Sequence, residues 1–464
     1  MKHLQLLQRR AFLKKMALGI GATSLLATQG KLQLMQSAMA SSSSYSHLND
    51  HKSLVCIYLF GGNDAFNMLI PYEENAYNQY KLDRTSLALK REDLLALKGG
   101  QYAFHPSMPD VQTLYNENNL TVSASVGALI EPVTRSDFKN KSLQFPEHLF
   151  SHSHQELFWA TGAATKSGVQ PPGWGGRMMD MLISANTDPN QPALFSLIGN
   201  KPWQRGLKPL NFALNPKLGV EEMKAFQSNS WPPWKNSRIE AWNKIIQPNH
   251  HASLLEQHMA QTYLNTEERI RPLIDALDAQ EIATPYERTS LSDQLKMAAK
   301  MISIRETLGM RRQIFFVGIG GWDTHANQLS SHSKKLKELN DALNSFHKTT
   351  VELGVENSVT TFTTSEFGRS YTANDDGTDH AWASHHLVMG GAVKGGEIHG
   401  DMLDLSLDGP DDARSSGRFI PKYGVDQYGA TLAKWMGMTD SDMNDIFPNL
   451  TNFDTNDLGF MKPA

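Results

Sequence analysis

The chain has 464 residues, 40% hydrophobic and 20% charged, which suits two or three domains or one large α/β domain with insertions and excludes collagen-like and largely disordered classes. Its mean hydropathy of −0.42 excludes a multi-spanning membrane protein. The formal charge of −4 is unevenly spread: residues 1–40 carry six Lys or Arg and no acid, so the remainder holds 38 basic and 48 acidic residues, too acidic overall for a nucleic-acid binder.

The N-terminus reads as an address. Arg9-Arg10-Ala11-Phe12-Leu13-Lys14 precedes an apolar stretch from Met16 to Ala27, and Ala38-Met39-Ala40 supplies a small-residue cleavage site. The paired arginines resemble a twin-arginine export signal. That resemblance implies the twin-arginine translocase as a partner, export in the folded state, and a periplasmic or extracellular location. The apolar run is short for a membrane span and no Cys follows it, so no stable membrane anchor is expected. Residues 1–40 are expected to be removed, and 41–51 to form a serine-rich linker before a domain at 52–464.

Residues 53–60 form a continuous apolar run ending at Gly61-Gly62, which suits a central strand buried on both faces. Leu120 to Val126 and Pro192 to Ile198 read as further strands. Trp231-Pro232-Pro233-Trp234 reads as a rigid aromatic turn. Residues 253–312 repeat apolar positions at helical spacing and predict a mostly helical insertion. Strand signals return at 313–319 and 359–364 with a helix over 334–353 between them, a β-α-β unit. A short strand over 386–390 and an amphipathic helix over 423–436 complete the chain. The fold class is therefore α/β: a mostly parallel central sheet with helices on both faces. The single cysteine, Cys56, excludes an intramolecular disulfide and any cysteine-based zinc site, so a metal must be held by His and carboxylates.

Polar motifs follow the predicted strands, where open α/β sheets bind their ligands. Gly61-Gly62-Asn63-Asp64 and Asn67 follow the first strand. Gly320-Gly321-Trp322-Asp323-Thr324-His325 and Ser365-Glu366-Phe367-Gly368-Arg369 follow two others, and Gly377-Thr378-Asp379-His380 lies in the next loop. If these loops converge, Asp64, Asp323, His325, Glu366 and His380 share one site. Two His nitrogens and three carboxylates match a divalent metal. Each motif also has a simpler reading: Asp64 as a helix cap, Asp323 to His325 as a helix start, Glu366 paired with Arg369, and His380 as a solvated loop residue. Phe150-Ser151-His152-Ser153-His154-Gln155-Glu156 is open in the same way. Ser153 with Glu156 fits a capping box, whereas Ser151 at a helix N-terminus fits a nucleophile, with His152 and His154 as substrate contacts. Gly173-Trp174-Gly175-Gly176-Arg177 places an arginine against an anionic substrate or is a glycine turn into a helix.

Taken in order, Gly-Gly-Asn-Asp, Ser-His-x-x-Gln, Gly-Trp-Gly-Gly-Arg, Gly-Gly-Trp-Asp-Thr-His, Ser-Glu-Phe-Gly-Arg and Gly-Thr-Asp-His resemble the bacterial domain-of-unknown-function 1501 family over about residues 52–455. That family is placed in the alkaline phosphatase and sulfatase superfamily. The resemblance implies an alkaline phosphatase-like α/β fold and a site order matched by Asp64, Ser151, Asp323 with His325, Glu366, and His380. Two departures stand out. Glu366-Phe367 replaces the Asp-His pair of alkaline phosphatases, and Ser151 lacks the Cys/Ser-x-Pro-x-Arg setting of sulfatases. A single or asymmetric metal site is as compatible with this pattern as a double one.

The leading expectation is an exported metal-dependent hydrolase of a phosphate or sulfate ester on a small molecule or polymer. Asp323, His325 and His380 would hold a divalent ion (Zn, Mn, Ca or Fe), with Asp64 and Glu366 completing the site or forming a second. Ser151 or a metal-activated water would attack, Arg177 or Arg369 would steady the anionic oxygens, and Asn63, Asn67, His152 and His154 would contact substrate. The alternative is a non-catalytic extracytoplasmic binding or assembly protein, with or without a structural metal.

Overall fold

A computed structural model describes residues 45–162, 172–189, 191–207, 211–220 and 235–463. The export signal, the first serines of the linker and the Trp231–Trp234 turn lie outside the described residues. Nine strands form one sheet: β1 (Lys52–Phe60), β2 (Leu120–Gly127), β3 (Leu194–Ser196), β4 (Asn211–Ala213), β5 (Arg312–Gly320), β6 (Val359–Thr364), β7 (Ser384–Met389), β8 (Ile398–His399) and β9 (Tyr423–Gly424). Their order is β8-β2-β7-β6-β1-β5-β3-β4, with β9 also on β2. All neighbours are parallel except β7, which runs antiparallel to both β2 and β6.

β1 is the centre of this sheet for a reason visible in its composition. Leu54 to Leu59 are all buried, whichever way they point. A strand can bury both alternating sets only when layers cover both faces. Cys56, Tyr58, Phe316 and Phe362 share one face and pack against α1 (His152–Thr161), α2 (Trp174–Leu182) and α6 (Val425–Trp435), through Trp159, Trp174 and Tyr428. The 253–312 segment is two helices, α3 (Leu254–Asp278) and α4 (Ser290–Ser303), with a non-helical stretch between them; α4 packs on β5 and on α5 (Gln328–Glu352). Among the described residues, no helix is long and apolar enough to cross a membrane.

The β5-α5-β6 unit is present, but its two strands do not touch: β1 lies between them. α5 starts at Gln328 rather than at 334. Gln328 is fully buried, and its amide oxygen accepts from Thr324 and Thr378, so tertiary bonds extend the helix beyond its apolar pattern. The compact unit starts at Tyr45 rather than at 52. Tyr45 is fully buried, its hydroxyl donates to Asp442 and accepts from the Thr439 N–H, and Asp50 pairs with Arg312 at 2.9 Å. Residues 45–51 are thus part of the domain, because one aromatic ring and one ion pair anchor them.

Candidate functional site

β6, β1 and β5 run parallel and side by side, so the loops that follow them leave from one edge of the sheet. Hydrogen bonds stitch these loops together. Glu366 Oε1 accepts from the Gly61 N–H at 2.8 Å, and Ser365 Oγ accepts from the Asn63 N–H at 3.0 Å while donating to the Leu59 carbonyl at 2.7 Å. Arg369, fully buried, donates to the carbonyls of Gly61, Gly62 and Thr378 and to the Asp323 carboxylate. Gly61 has φ +124°, and a Cβ there would lie 2.3 Å from the Asp323 nitrogen, so only glycine fits. Crowding falls there and not at Gly320, where a Cβ would meet nothing within 4 Å. The chain beyond Arg369 doubles back, pairing Arg369 with His380 and thereby bringing His380 over the same edge.

The result is a cluster around Asp323. Donor atoms of His152, Asp323 and His380 all lie within 4.8 Å of one another, a spacing that one metal ion could span. His325 Nε2 lies 3.0 Å from Asp323 Oδ1 and 3.0 Å from His380 Nε2. His380 Nε2 is 3.3 Å from Asp323 Oδ1, and His152 Nε2 is 3.5 Å from Asp323 Oδ2. Asp323, His325 and His380 therefore meet as expected, and His152, expected as a substrate contact, joins them as a potential ligand.

Two of the rings are set up to offer lone pairs. His380 Nδ1 donates to the Phe150 carbonyl at 2.8 Å, and His152 Nδ1 donates to Glu366 Oε1 at 2.7 Å. Each bond places the ring proton on Nδ1 and leaves Nε2 of the neutral ring as an acceptor aimed at the cluster. Burial lowers the His380 pKa below the usual histidine value. The hydrogen bond to Glu366 raises that of His152. Burial pushes the Asp323 carboxyl up, but the bond and charge of Arg369 outweigh it, and the net shift is downward. The centre therefore consists of an ionised carboxylate facing imidazole nitrogens, in which a proton on His325 Nε2 bridges to Asp323 and His380 unless a cation takes its place. This donor set fits a divalent ion of the Zn, Mn or Fe type.

Other expected residues fall elsewhere. Asp64 is fully buried, and its carboxylate is engaged by Arg84, by Gln328 and by the N–H groups of Phe66 and Asn67 at 3.1 and 3.3 Å, so it does not face the cluster as a ligand. Its role is to anchor Gln328, which holds Thr324 and Thr378 on either side of the cluster. Glu366 stands behind His152 rather than beside Asp323, and it does not pair with Arg369. Arg369 spends four of its five N–H groups on carbonyls and Asp323 and is fully buried, so it offers no open face to a substrate oxygen. Arg177 is half-buried and donates to the Thr161 carbonyl at the far end of α1. With a rise of 1.5 Å per residue, that is roughly 13 Å from His152. Asn63 bonds His332 at 3.0 Å, and Asn67 bonds Tyr80 at 2.8 Å and the Leu87 carbonyl at 2.9 Å, so neither amide is open to substrate.

α1 begins at His152 with Ser151 as its N-cap, so Ser153 already lies inside the helix and the expected capping box is not formed. Ser151 Oγ makes no capping bond; it lies 3.0 Å from His154 Nδ1. His154 in turn packs against His148, with ring centroids 4.3 Å apart. Arg84 and Gln328 are the supporting residues that sequence reasoning misses. Each is one of many polar residues on its helix, and only burial against Asp64 sets it apart.

The chain belongs to the family described as "Protein of unknown function (DUF1501)", which matches residues 51–419. Comparison with curated proteins gives no match. Three solved structures align with most of the chain at low similarity. Ps i-CgsB in complex with k-i-k-neocarrahexaose is 9% identical, with a TM-score of 0.37 and coverage of 88% of this chain and 77% of that one. The lipoteichoic acid synthase LtaP from Listeria monocytogenes is 8% identical, with a TM-score of 0.34 and coverage of 91% and 79%. PsFucS1 sulfatase from Pseudoalteromonas sp. is 10% identical, with a TM-score of 0.36 and coverage of 92% and 77%.

Proposed function

We propose that the protein is an exported, metal-dependent hydrolase of a phosphate or sulfate ester. One observation carries this reading: His152, Asp323 and His380 converge within 4.8 Å, with both ring Nδ1 atoms held by oxygen acceptors. These three residues and His325 would hold a divalent ion, Zn, Mn or Fe; the expected alternative Ca, which takes oxygen ligands, does not suit three imidazoles. When bound, the ion supplies positive charge for the ester's anionic oxygens. The chain's own groups do the rest. Arg369 fixes Asp323, Glu366 fixes the His152 ring, and the Phe150 carbonyl fixes the His380 ring. Ser151 presents a hydroxyl at a helix N-terminus, where N–H groups favour anionic oxygen. Its neighbour His154 is within reach to take the hydroxyl proton. A water in the same place is the other source of the attacking oxygen. Arg9-Arg10 and Ala38-Met39-Ala40 support export by the twin-arginine route, to the periplasm or beyond.

Hydrolysis of aryl phosphate and aryl sulfate tests the reading. Chelation should remove activity, added divalent ion should restore it, and Asp323→Asn or His380→Ala should abolish it. Activity indifferent to chelator and to both substitutions would sink the proposal. One feature favours the second reading, a binding protein that keeps the fold: the buried Arg369 already neutralises Asp323 without a cation. A folded protein that takes up no metal and cleaves no ester would establish that alternative.

A further inference from the structure

Beside the cluster runs an open groove of about 670 Å³ whose chemistry is opposite to that of the molecule as a whole. Residues 41–464 carry ten more acidic than basic side chains. The described groove lining nevertheless includes Lys139, Lys141 and Arg414 and no carboxylate. These three cations are exposed. Among the described residues, none of them makes an ion pair of the kind that holds Arg135 to Asp408 or Arg418 to Asp379. Phe138, Phe145 and Phe150 form the groove's apolar surface. Arg414 lies over the Phe150 ring at 4.8 Å and the Phe138 ring at 5.8 Å, which holds its guanidinium in place without neutralising it. Phe138 and Phe145 pack edge to face at 5.6 Å and rest on the buried Trp382, a firm base for the groove wall.

The groove borders the residues that support the cluster. Ser151 and Phe150 are part of its lining, and the Phe150 carbonyl is the group that orients His380. A ligand lying in the groove therefore lies beside the site.

We propose that this groove binds a polysaccharide carrying sulfate or phosphate esters, one of which enters the metal cluster while its neighbours lie against Lys139, Lys141 and Arg414. The inference rests on the ester-hydrolase reading for what happens at the cluster, but not for binding in the groove. Charge complementarity identifies the anionic groups. On an acidic body, three exposed cations without a close ion pair, Lys139 feeling Asp408 only at longer range, make a local excess of positive charge that draws in and retains an anion. The phenyl surfaces identify the rest of the ligand: sugar rings offer apolar C–H faces that pack on aromatic rings, alternating with their charged substituents. An anion alone would need no such surface, and a neutral sugar would need no such charge.

The test is binding of dextran sulfate to the full-length protein, with unmodified dextran as control, in chelator so that no turnover intervenes. Expected are binding of dextran sulfate only, loss of that binding as salt is raised, and roughly tenfold or greater weakening in Lys139→Gln/Lys141→Gln/Arg414→Gln. The charge-conserving Lys139→Arg/Lys141→Arg/Arg414→Lys should retain binding, which separates lost charge from lost folding. Undiminished binding by the Gln variant would overturn the proposal. So would equal displacement of dextran sulfate by polyglutamate or by a single-stranded oligonucleotide, because the groove would then select charge and not sugar. Binding without any ester hydrolysis would support the groove while defeating the hydrolase reading. Hydrolysis of a small aryl ester without polymer binding would do the reverse.

Discussion

Replacing Glu366 by Gln removes one negative charge while keeping the shape of the centre. Glu366 is 4% exposed, and its Oε1 accepts from both His152 Nδ1, at 2.7 Å, and the Gly61 N–H, at 2.8 Å. A glutamine can keep Oε1 in that position and turn its amide nitrogen toward Ser365 Oγ, which lies 3.3 Å from Oε2. Both hydrogen bonds survive, and what is lost is the charge that strengthens His152 as a donor to metal. Partners behind a ligating histidine typically contribute about 10- to 100-fold in metal affinity. That range corresponds to about 1.4–2.7 kcal/mol. Little solvent screening is available at so buried a carboxylate, so the upper half of the range is expected. Isothermal titration with zinc or manganese measures it, best at alkaline pH, where protons compete least for His152. Equal metal affinity in Glu366→Gln and the parent, both folded, would show that Glu366 does not act through His152.

Arg84→Met should destabilise the fold by about 3–5 kcal/mol, read from urea denaturation, because it strands a carboxylate that, like Arg84 itself, is 0% exposed; a loss under about 1 kcal/mol would contradict a buried Arg84–Asp64 pair. Gly61→Ala should cost roughly 2 kcal/mol or more through its φ of +124° and the contact with Asp323, and should weaken metal binding with it; an unchanged denaturation midpoint would refute the strain. Burial raises the Asp426 pKa to about 7, against an ordinary value of 3.8. The folded state therefore binds this proton more tightly than the unfolded chain, and the stabilisation, full below the ordinary carboxylate range, is lost as pH rises through about 7. Asp426→Asn should flatten the fall in stability between about pH 4 and 7; the same slope in both proteins would exclude Asp426 as its source.

Much of the site was legible because its residues follow strands that announce themselves. Residues 53–60 and 313–319 are apolar after a first polar residue, 359–364 is β-branched Val and Thr around Phe362, and the structure pairs all three as adjacent parallel strands. The loops after them had to share an edge, and Asp323, His325 and His380 do converge there. Position after a strand does not determine where a side chain points. Asp64 and Glu366 occupy equivalent positions to Asp323, yet Asp64 turns to Arg84 and Glu366 turns to His152. His152 was visible in sequence only as part of a histidine-rich helix start. Its place beside Asp323 depends on how α1 lies across β1 and β6.

By itself, the sequence determined the class of fold, the central strands and the identity of the donor atoms, because burial on both faces and the chemistry of His and carboxylate are local properties of residues. Only the tertiary structure decided which carboxylates remain open to a cation. A buried charge must find a partner, and that partner is set by contacts between elements far apart in the chain: Arg84 for Asp64, Asp323 for Arg369, and His152 for Glu366.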